Sequence, residues 1–459
     1  MPCSLWKTRF TWLAASLPAA LAERGGPVHA TPPLSSPAQP LPDGIAPDRD
    51  AGHGPVLAIR AKSLLPLTGE EPARGARLFA PLKRVDNAVL VVRHGLVEAV
   101  GRWGSTPLPP GALVRDVGPV CLAPACVNAH THLELSHLAG RTRWEAGFTA
   151  WLQSLIPLLS PPQDAAAASA VVAAAEAACA DMAAMGTRCV GNVAGSLPHG
   201  ILVADAASRA AGLTVSHFCE WFGFGPPFAQ GEGPWPPRCR EAAEEDPFLA
   251  ARCAPGGHAL YSTGPDVLQT AHENCRRMGR VFSFHLAESP EETQLLTEGA
   301  GPLLDCYAGV VLPPDWRAPG LRPLAYALRL GLLCAGTLAV HGVQLDQQEV
   351  EVLAASGAAL CLCPRSNRRL DVGLAPVREL MESGCLLCLG TDGLTSNRDL
   401  DVRQEAAWLR ETLDVPPEAL VRLLTVNGVA ALNLQASGAG RLEPGAPADF
   451  CVLPEALVY

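Results

Sequence analysis

Two histidines one residue apart, His130 and His132, end the apolar run "CLAPACVNAHTH". In an extended chain, residues i and i+2 point to the same face, so both imidazoles can reach one metal ion. A helix would need a spacing of four residues for the same purpose. Alone, such a pair is as often structural as metal-binding, so its meaning depends on which other ligands converge on it.

Three further polar side chains stand at the ends of later apolar runs: His285 in "FSFHLAE", His341 in "LAVHG" and Asp392 in "CLGTD". Imidazole nitrogens and carboxylate oxygens are ligands that Zn²⁺ and Fe²⁺ both accept. We predict a metal site formed by His130, His132, His285 and Asp392. His341 is either a further ligand or a donor that polarises the substrate and stabilises developing charge.

The lysines indicate how many ions the site holds. Barrels with two metal ions often bridge them with a carboxylated lysine, and the lysines here, Lys7, Lys62 and Lys83, all precede the candidate ligands. We therefore expect one divalent ion, Zn²⁺, with Fe²⁺ as the alternative. An ion with an open position lowers the pKa of bound water from ~15.7 toward ~7, which makes water reactive at neutral pH.

Glu288 lies three residues after His285, in "HLAE". At the rim of a metal site, a carboxyl group can hold protons and deliver them to a substrate. The alternative is a solvated glutamate at the start of a helix, because "SPEE" follows and acidic residues suit a helix N-terminus. The short spacing from His285 favours the catalytic role.

The elements that must position these residues are eight strand candidates separated by helical segments. Helices are predicted over 165–185, where Gly186 ends the helix, and over 402–413 and 417–432. The strand candidates are 121–130, 186–193, 213–223, 251–260, 279–288, 336–342, 357–364 and 384–392. This alternation predicts an α/β fold with a parallel sheet, and eight strands close a (β/α)8 TIM-type barrel whose functional residues lie at the carboxyl ends of the strands. An open doubly wound sheet is the alternative, but no glycine-rich phosphate fingerprint supports it.

Composition limits the function classes for this chain of 459 residues. A net charge of -10 argues against nucleic-acid binding, and no apolar run reaches the ~20 residues of a membrane span. The 16 cysteines are scattered singly through strand-like runs, which favours a reducing, cytoplasmic location. Residues 1–55 read as a disordered leader or a mis-assigned start. Lys7, Arg9 and the run "FTWLAASLPAALA" give this segment the outline of a weak signal peptide.

Together, the segments "NAHTHLELS", "HLAESPEE", "LAVHG", "CPRSN" and "LGTDGLTSN" resemble the amidohydrolase superfamily. The resemblance runs from about residue 56 to 453. Within that superfamily, the motifs most resemble the mononuclear deaminase and chlorohydrolase (ATZ/TRZ-like) branch. "AHTHLELSHL" is most similar to the aminodeoxyfutalosine deaminases of menaquinone biosynthesis.

The resemblance implies a barrel over 121–435 and a small β-sandwich-like domain built from 56–120 and 436–459. It implies that His130, His132, His285 and Asp392 bind the metal. Glu288 would move protons, and Asp392 would take one from the attacking water. His341 would act beside that water, and His258 would contact the substrate.

The substrate is a small molecule, and an adenine nucleoside derivative such as aminodeoxyfutalosine fits the resemblance best. Trp144, Phe148 and Trp151 have the spacing of one helical face, which could stack on a purine or be core. Arg365 could pair with a carboxylate or ribose of the ligand. The rivals are a chlorohydrolase or cyclic-amidine or amide hydrolase, a non-catalytic barrel scaffold, and an exported metal-binding protein. A homo-oligomer is compatible with the sequence.

Overall fold

The chain folds as a mixed α/β structure, and the computed structural model describes residues 55–197, 199–225 and 234–458. The predicted leader, 1–55, lies outside these ranges except for its last residue. The strands are β1 Leu57–Leu64, β2 Val85–Arg93, β3 Leu96–Arg102, β4 Leu113–Asp116, β5 Cys121–Pro124, β6 Cys126–Thr131, β7 Thr187–Ala194, β8 Thr214–Trp221, β9 Cys253–Gly257, β10 Phe282–Leu286, β11 Thr337–His341, β12 Ala359–Leu362, β13 Leu386–Leu389 and β14 Phe450–Val452.

Helices follow most strands from β6 onward. The α-helices are Phe148–Leu155, Ala165–Ala184, Gly200–Ala210, Pro237–Glu245, Pro247–Ala250, Pro265–Met278, Pro290–Glu298, Pro302–Tyr307, Pro323–Arg329, Gln347–Ser356, Pro364–Arg369, Val377–Glu382, Val402–Leu413, Pro417–Leu424 and Val426–Ala431. Short 3-10 helices cover Gly75–Phe79, Leu133–Leu138, Ile156–Leu158, Gln435–Ser437 and Glu455–Leu457.

Strands from both ends of the described chain share one sheet of six strands. Its order is β14-β5-β1-β2-β3, and β4 pairs with β1. The buried side chains of Ile59, Leu64, Leu90 and Phe450 belong to one apolar cluster on this sheet. Hydrogen bonds join these strands into a single continuous sheet, and the β-sandwich-like arrangement of this part of the chain stays a prediction.

The first predicted strand, 121–130, is divided at Ala125 between two sheets. The N–H of Ala125 donates to the carbonyl of Asp449, whereas the N–H of Cys126 donates to the carbonyl of Gly186. The chain therefore leaves the six-stranded sheet at β5 and enters the next sheet at β6. The backbone hydrogen bonding thus changes from one sheet to the other at Ala125, five residues after the predicted domain boundary at residue 120.

Two parallel sheets of four strands hold the rest of the strands, in the orders β6-β7-β8-β9 and β10-β11-β12-β13. All eight predicted strand positions contain a strand. Backbone hydrogen bonds join the two sheets at both edges. The N–H groups of Thr391 and Asp392 donate to the carbonyl of His130, and the N–H of His285 donates to the carbonyl of His258. At the first edge, a side chain on Gly390 would lie 2.8 Å from Cβ of His130, so the approach requires glycine.

Helix Ala165–Ala184 confirms the prediction over 165–185. Asp164 caps its start by accepting the N–H of Ala167, and Gly186 follows its end at φ 86°, which L-residues with a side chain avoid. One of its faces packs on a cluster that includes Leu133 and Val190. Among the described residues this helix alone is long and apolar enough to cross a membrane, by length and composition only, which differs from the expectation drawn from the sequence.

The helix predicted over 402–413 is present as Val402–Leu413, whereas the one predicted over 417–432 is interrupted. Thr425 has φ −126° and ψ −100°, which is outside the helical region, and its hydroxyl donates to the carbonyl of Val421. The break redirects the chain so that Gly428 lies against Val127 of β6, where an added Cβ would be 2.7 Å from that side chain.

Candidate active site

Four of the side chains chosen as metal ligands meet where the two four-stranded sheets join. The ligand nitrogens of His130, His132 and His285 lie within 4.8 Å of one another. Oδ1 of Asp392 lies 3.6 Å from Nε2 of His130 and 3.4 Å from Nε2 of His132. Residues far apart in the chain are thus brought into one cluster.

The histidines of this cluster have the properties that a divalent ion requires. Both ring nitrogens of His130 and Nδ1 of His132 are buried without a hydrogen-bond partner among the described residues. Leaving such atoms unpaired costs about 1–3 kcal/mol each, unless a ligand satisfies them. Burial, aided by neighbouring His130, lowers the pKa of His132 to about 3, so its imidazole is neutral and able to coordinate. The donor set therefore fits a bound metal ion.

Hydrogen bonds orient the other two members of the set. Nδ1 of His285 lies 2.8 Å from the carbonyl oxygen of His258, so its N–H can donate there while Nε2 is free to coordinate. Oδ2 of Asp392 accepts hydrogen bonds from the hydroxyls of Ser366 and Ser396, at 2.7 and 2.6 Å. These contacts turn Oδ1 toward the histidines. Asp392 has φ 59°, a strained conformation for a residue with a side chain.

Glu288 and His341 form a second group next to the ligands. Oε1 of Glu288 lies 3.5 Å from Nε2 of His341, and Nδ1 of His341 lies 2.9 Å from Oδ1 of Asn367. Glu288 is only 5% exposed, which contradicts the alternative of a solvated glutamate. The following helix begins at Pro290, with Ser289 as its cap.

The protonation of this pair suits proton transfer. Burial and the negative charge of Asp392 raise the pKa of Glu288 well above its ordinary value, which favours the protonated form of its carboxyl group. Burial lowers the pKa of His341 to about 4, so its imidazole is neutral. A buried acid beside a neutral imidazole can donate to one part of a substrate and bind another part.

The residues predicted to contact substrate have different surroundings. The ring of His258 lies 5.0 Å from that of His285 and 5.2 Å from that of Phe222, at the border of the ligand cluster. Nε1 of Trp151 donates to the carbonyl of Thr395, in the segment after Asp392.

The predicted helical face of three aromatic residues is incomplete. Its helix begins at Phe148, so Trp144 lies outside it and stacks under the guanidinium of Arg369.

Arg365 is held by carboxylates of the protein itself. Its Nη atoms lie 2.9 and 2.7 Å from Asp399, and Nη1 lies 3.5 Å from Glu405.

One buried carboxyl group in this region had not been singled out from the sequence. Glu220 is the next-to-last residue of β8 and is 8% exposed. Its Oε1 lies 3.7 Å from Nδ1 of His285 and has no hydrogen-bond partner among the described residues. Burial and nearby Glu134 raise its pKa well above the ordinary value. Its position at the carboxyl end of a strand candidate was the available signal, as it was for His285.

The model of the amidohydrolase family matches residues 121–459. The chain belongs to the amidohydrolase family. The 5-methylthioadenosine/S-adenosylhomocysteine deaminase of Nitratidesulfovibrio vulgaris (strain DSM 19637 / Miyazaki F) is 31% identical over 388 residues, which cover 80% of each chain. With such deaminases as relatives, this amidohydrolase is a hydrolase that acts on carbon–nitrogen bonds, a deaminase.

Solved structures share the fold of this amidohydrolase. Aminofutalosine deaminase of Helicobacter pylori has a TM-score of 0.66 at 19% identity, with 86% of this chain and 91% of that chain covered. Atrazine chlorohydrolase of Arthrobacter aurescens, complexed with zinc, has a TM-score of 0.65 at 16% identity, with 86% of both chains covered. At these identities the likeness concerns the fold, because deaminases and a chlorohydrolase match equally well.

Proposed function

We propose that the chain is a metal-dependent hydrolytic deaminase that acts on the amino-substituted ring of an adenine nucleoside derivative and releases ammonia. The observation that carries this proposal is the pair of Glu288 and His341 next to the cluster of His130, His132, His285 and Asp392. This hydrolysis needs a proton donor, a neutral imidazole and a set of side chains whose free nitrogen and oxygen atoms can bind a metal ion. The deaminase names of the relatives support the same reaction.

His130, His132, His285 and Asp392 would hold one divalent ion, Zn²⁺ or alternatively Fe²⁺. This assignment is supported by the buried nitrogens of His130 and His132 that have no hydrogen-bond partner among the described residues, and by the oriented Oδ1 of Asp392. When bound, such an ion supplies Lewis acidity that makes water nucleophilic at neutral pH.

The chain's own residues would carry the protons. Glu288 gives its proton to a ring nitrogen, which makes the adjacent carbon electrophilic, and Asp392 accepts one proton of the attacking water. That proton leaves with the amino group as ammonia, and the hydroxyl proton of the product carbon returns to Glu288. His341 is a neutral imidazole whose Nδ1–H donates to Oδ1 of Asn367, so its Nε2 can accept a hydrogen bond from the attacking water and orient it.

The fold in which this chemistry is proposed is a closed (β/α)8 barrel. Its support is the pair of edge connections, through His130 at one edge and through His258 at the other, which together link all eight parallel strands. We also propose a cytoplasmic location, supported by the 15 described cysteines, all of which are free thiols.

Aminodeoxyfutalosine is the specific substrate that we propose, with His258 and Trp151 at the substrate. The aromatic rings of Phe222 and Tyr261 flank His258, at 5.2 and 6.0 Å, and offer planar surfaces near the ligand cluster. A 5′-substituted adenosine such as 5-methylthioadenosine is the nearest competitor, because relatives carry that name.

The test is a screen for released ammonia with metal content measured on the same sample. Substrates are aminodeoxyfutalosine, 5-methylthioadenosine, S-adenosylhomocysteine, adenosine, guanine, cytosine and a chlorinated triazine, and the Glu288→Gln variant is the matched control. Ammonia from an adenine nucleoside with the wild type alone supports the proposal. Release of chloride from the triazine, with no ammonia from any compound, would contradict the deaminase proposal and favour a chlorohydrolase. If a fully metal-loaded protein turned over none of these compounds, the hypothesis of a non-catalytic scaffold would be favoured instead.

A further inference from the structure

A cavity of about 500 Å³ opens at the end of the strands opposite to the candidate active site. Phe282, Thr337, Ala359 and Leu386 line it, and each of them begins or nearly begins one of the strands β10 to β13. Its volume falls within the roughly 300–1,000 Å³ of small-molecule sites. Nothing in the deaminase chemistry uses this end of the strands.

Three arginines from two separate segments of the chain line the same cavity. Arg74 precedes the 3-10 helix Gly75–Phe79, Arg276 lies in the last turn of helix Pro265–Met278, and Arg280 follows that helix. No aspartate or glutamate is among the lining residues. This concentration of positive charge stands in a chain whose net charge is -10.

These arginines have no carboxylate partner among the residues that the structure describes. Within 55–197, 199–225 and 234–458, no ion pair joins Arg74, Arg276 or Arg280 to an acidic side chain. The neighbouring Arg277 does have such a partner, since its Nη2 lies 2.5 Å from Oε1 of Glu273. A guanidinium group stays charged at every physiological pH, so this cavity has a lasting positive potential.

The helix dipole explains only part of the arrangement. A cation in the last turn of helix Pro265–Met278 is stabilised by the carbonyl ends of that helix, which accounts for Arg276 and Arg277. Arg280 lies beyond the terminal Gly279, and Arg74 comes from a segment more than 200 positions earlier in the chain. Their convergence on one cavity needs another cause.

We propose that this cavity binds a phosphate-bearing small molecule. Arginine forms paired hydrogen bonds with phosphate oxygens, and three of them match a group with two or more negative charges. The wall also has an apolar part, with Val281, Phe282 and Leu386, which suits an organic moiety attached to the phosphate. The ligand class is therefore a phosphorylated metabolite of nucleotide size, bound apart from the deaminase site.

The test is calorimetric titration of the full chain with pyrophosphate, ADP and orthophosphate, at constant ionic strength adjusted with KCl. We expect saturable binding of one pyrophosphate or ADP per chain. Arg276→Ala and Arg280→Ala should each weaken it about tenfold, because each removes charge-assisted hydrogen bonds. Arg277→Ala, on the same helix but paired with Glu273, should leave the affinity unchanged. Tighter binding of ADP than of pyrophosphate would show that the apolar wall contributes to the affinity.

Adenosine separates this site from the deaminase site, because it has no phosphate. Its binding or turnover should be the same in wild type and in the Arg276→Ala, Arg280→Ala double variant. Absence of saturable binding of all three phosphates would overturn the proposal. Binding that the double variant retains at full strength would overturn it as well, because the ligand would then lie elsewhere. Neither result depends on whether the chain deaminates any compound.

Discussion

Nε2 of His341 lies 3.5 Å from Oε1 of Glu288; His341 is the last residue of β11, and Glu288 follows the adjacent parallel strand β10. The contact joins a carboxyl group whose pKa is raised by burial to an imidazole whose pKa is lowered by burial. His341 itself has φ 79°, so the backbone is strained where the strand ends. Strained backbone conformations persist where the surrounding contacts enforce them, and they are common at functional sites. In this conformation, Nε2 of His341 faces Glu288.

Glu288→Gln should abolish most turnover while the metal remains bound. Glutamine keeps the size of the side chain but cannot give up a proton, and loss of a general acid costs about a hundredfold to ten-thousandfold in rate. The measurement is ammonia release together with metal content per chain. Glu298→Gln, at the exposed end of the following helix, is the matched control and should keep wild-type activity. Wild-type turnover in Glu288→Gln would remove this residue from the mechanism.

His285→Ala should lose both the metal and the activity. Its Nδ1 is committed to the carbonyl of His258, so the substitution removes a ligand nitrogen that the backbone has already oriented. Metal content by mass spectrometry and ammonia release are measured on the same preparation, before and after adding Zn²⁺ or Fe²⁺. His94→Ala changes an exposed histidine between β2 and β3 of the six-stranded sheet and should retain both properties. Full activity in a His285→Ala protein without metal would refute the metal-dependent mechanism.

Much of this site could be predicted from the sequence because each of its main residues directly follows an apolar run. His130, His285, His341 and Asp392 are polar residues at strand ends, and the carboxyl ends of parallel strands lie at the same edge. Local pattern was therefore enough to choose residues that the fold brings together. Glu220 satisfied the same rule but had no neighbouring motif to draw attention to it.

Other features depend on partners far away in the chain, which no local pattern reveals. "CLAPACVNAH" is one unbroken apolar run, and its division at Ala125 depends on the carbonyls of Asp449 and Gly186. Arg365 resembled a free cation in "CPRSN", but Asp399 and Glu405 approach it from a later segment. Such assignments require the tertiary structure.

Trp151→Leu should raise KM about tenfold if the indole stacks on the substrate ring, because base–aromatic stacking contributes about 1–3 kcal/mol. It should also lower the free energy of unfolding by about 1 kcal/mol, since Nε1 donates to the carbonyl of Thr395. Steady-state kinetics and denaturant unfolding give the two numbers. Trp103→Leu, directly after β3 of the six-stranded sheet, is the control for KM. A lowered stability with an unchanged KM would limit Trp151 to supporting the segment after Asp392.

Ionisation of the Glu292 carboxyl group should lower the free energy of unfolding as the pH rises. Its Oε2 accepts the backbone N–H of Glu288 at 2.7 Å, its Oε1 is buried without a partner among the described residues, and burial raises its pKa to about 7 from 4.5. Between these two values the unfolded chain releases the proton while the folded chain keeps it. The contribution of Glu292 to stability is therefore present below about pH 4.5 and is lost by about pH 7.

Glu292→Gln removes this ionisation and keeps a carbonyl oxygen that can accept the N–H of Glu288. The loss of unfolding free energy between about pH 5 and about pH 8 should be smaller in the variant, by up to about 3 kcal/mol. Denaturant unfolding at both values, on samples of equal metal content, measures the difference. Glu298→Gln, which is exposed, should follow the wild type. Parallel pH profiles for Glu292→Gln and wild type would show that Glu292 is already ionised in the folded state, stabilised by the N–H groups that face it.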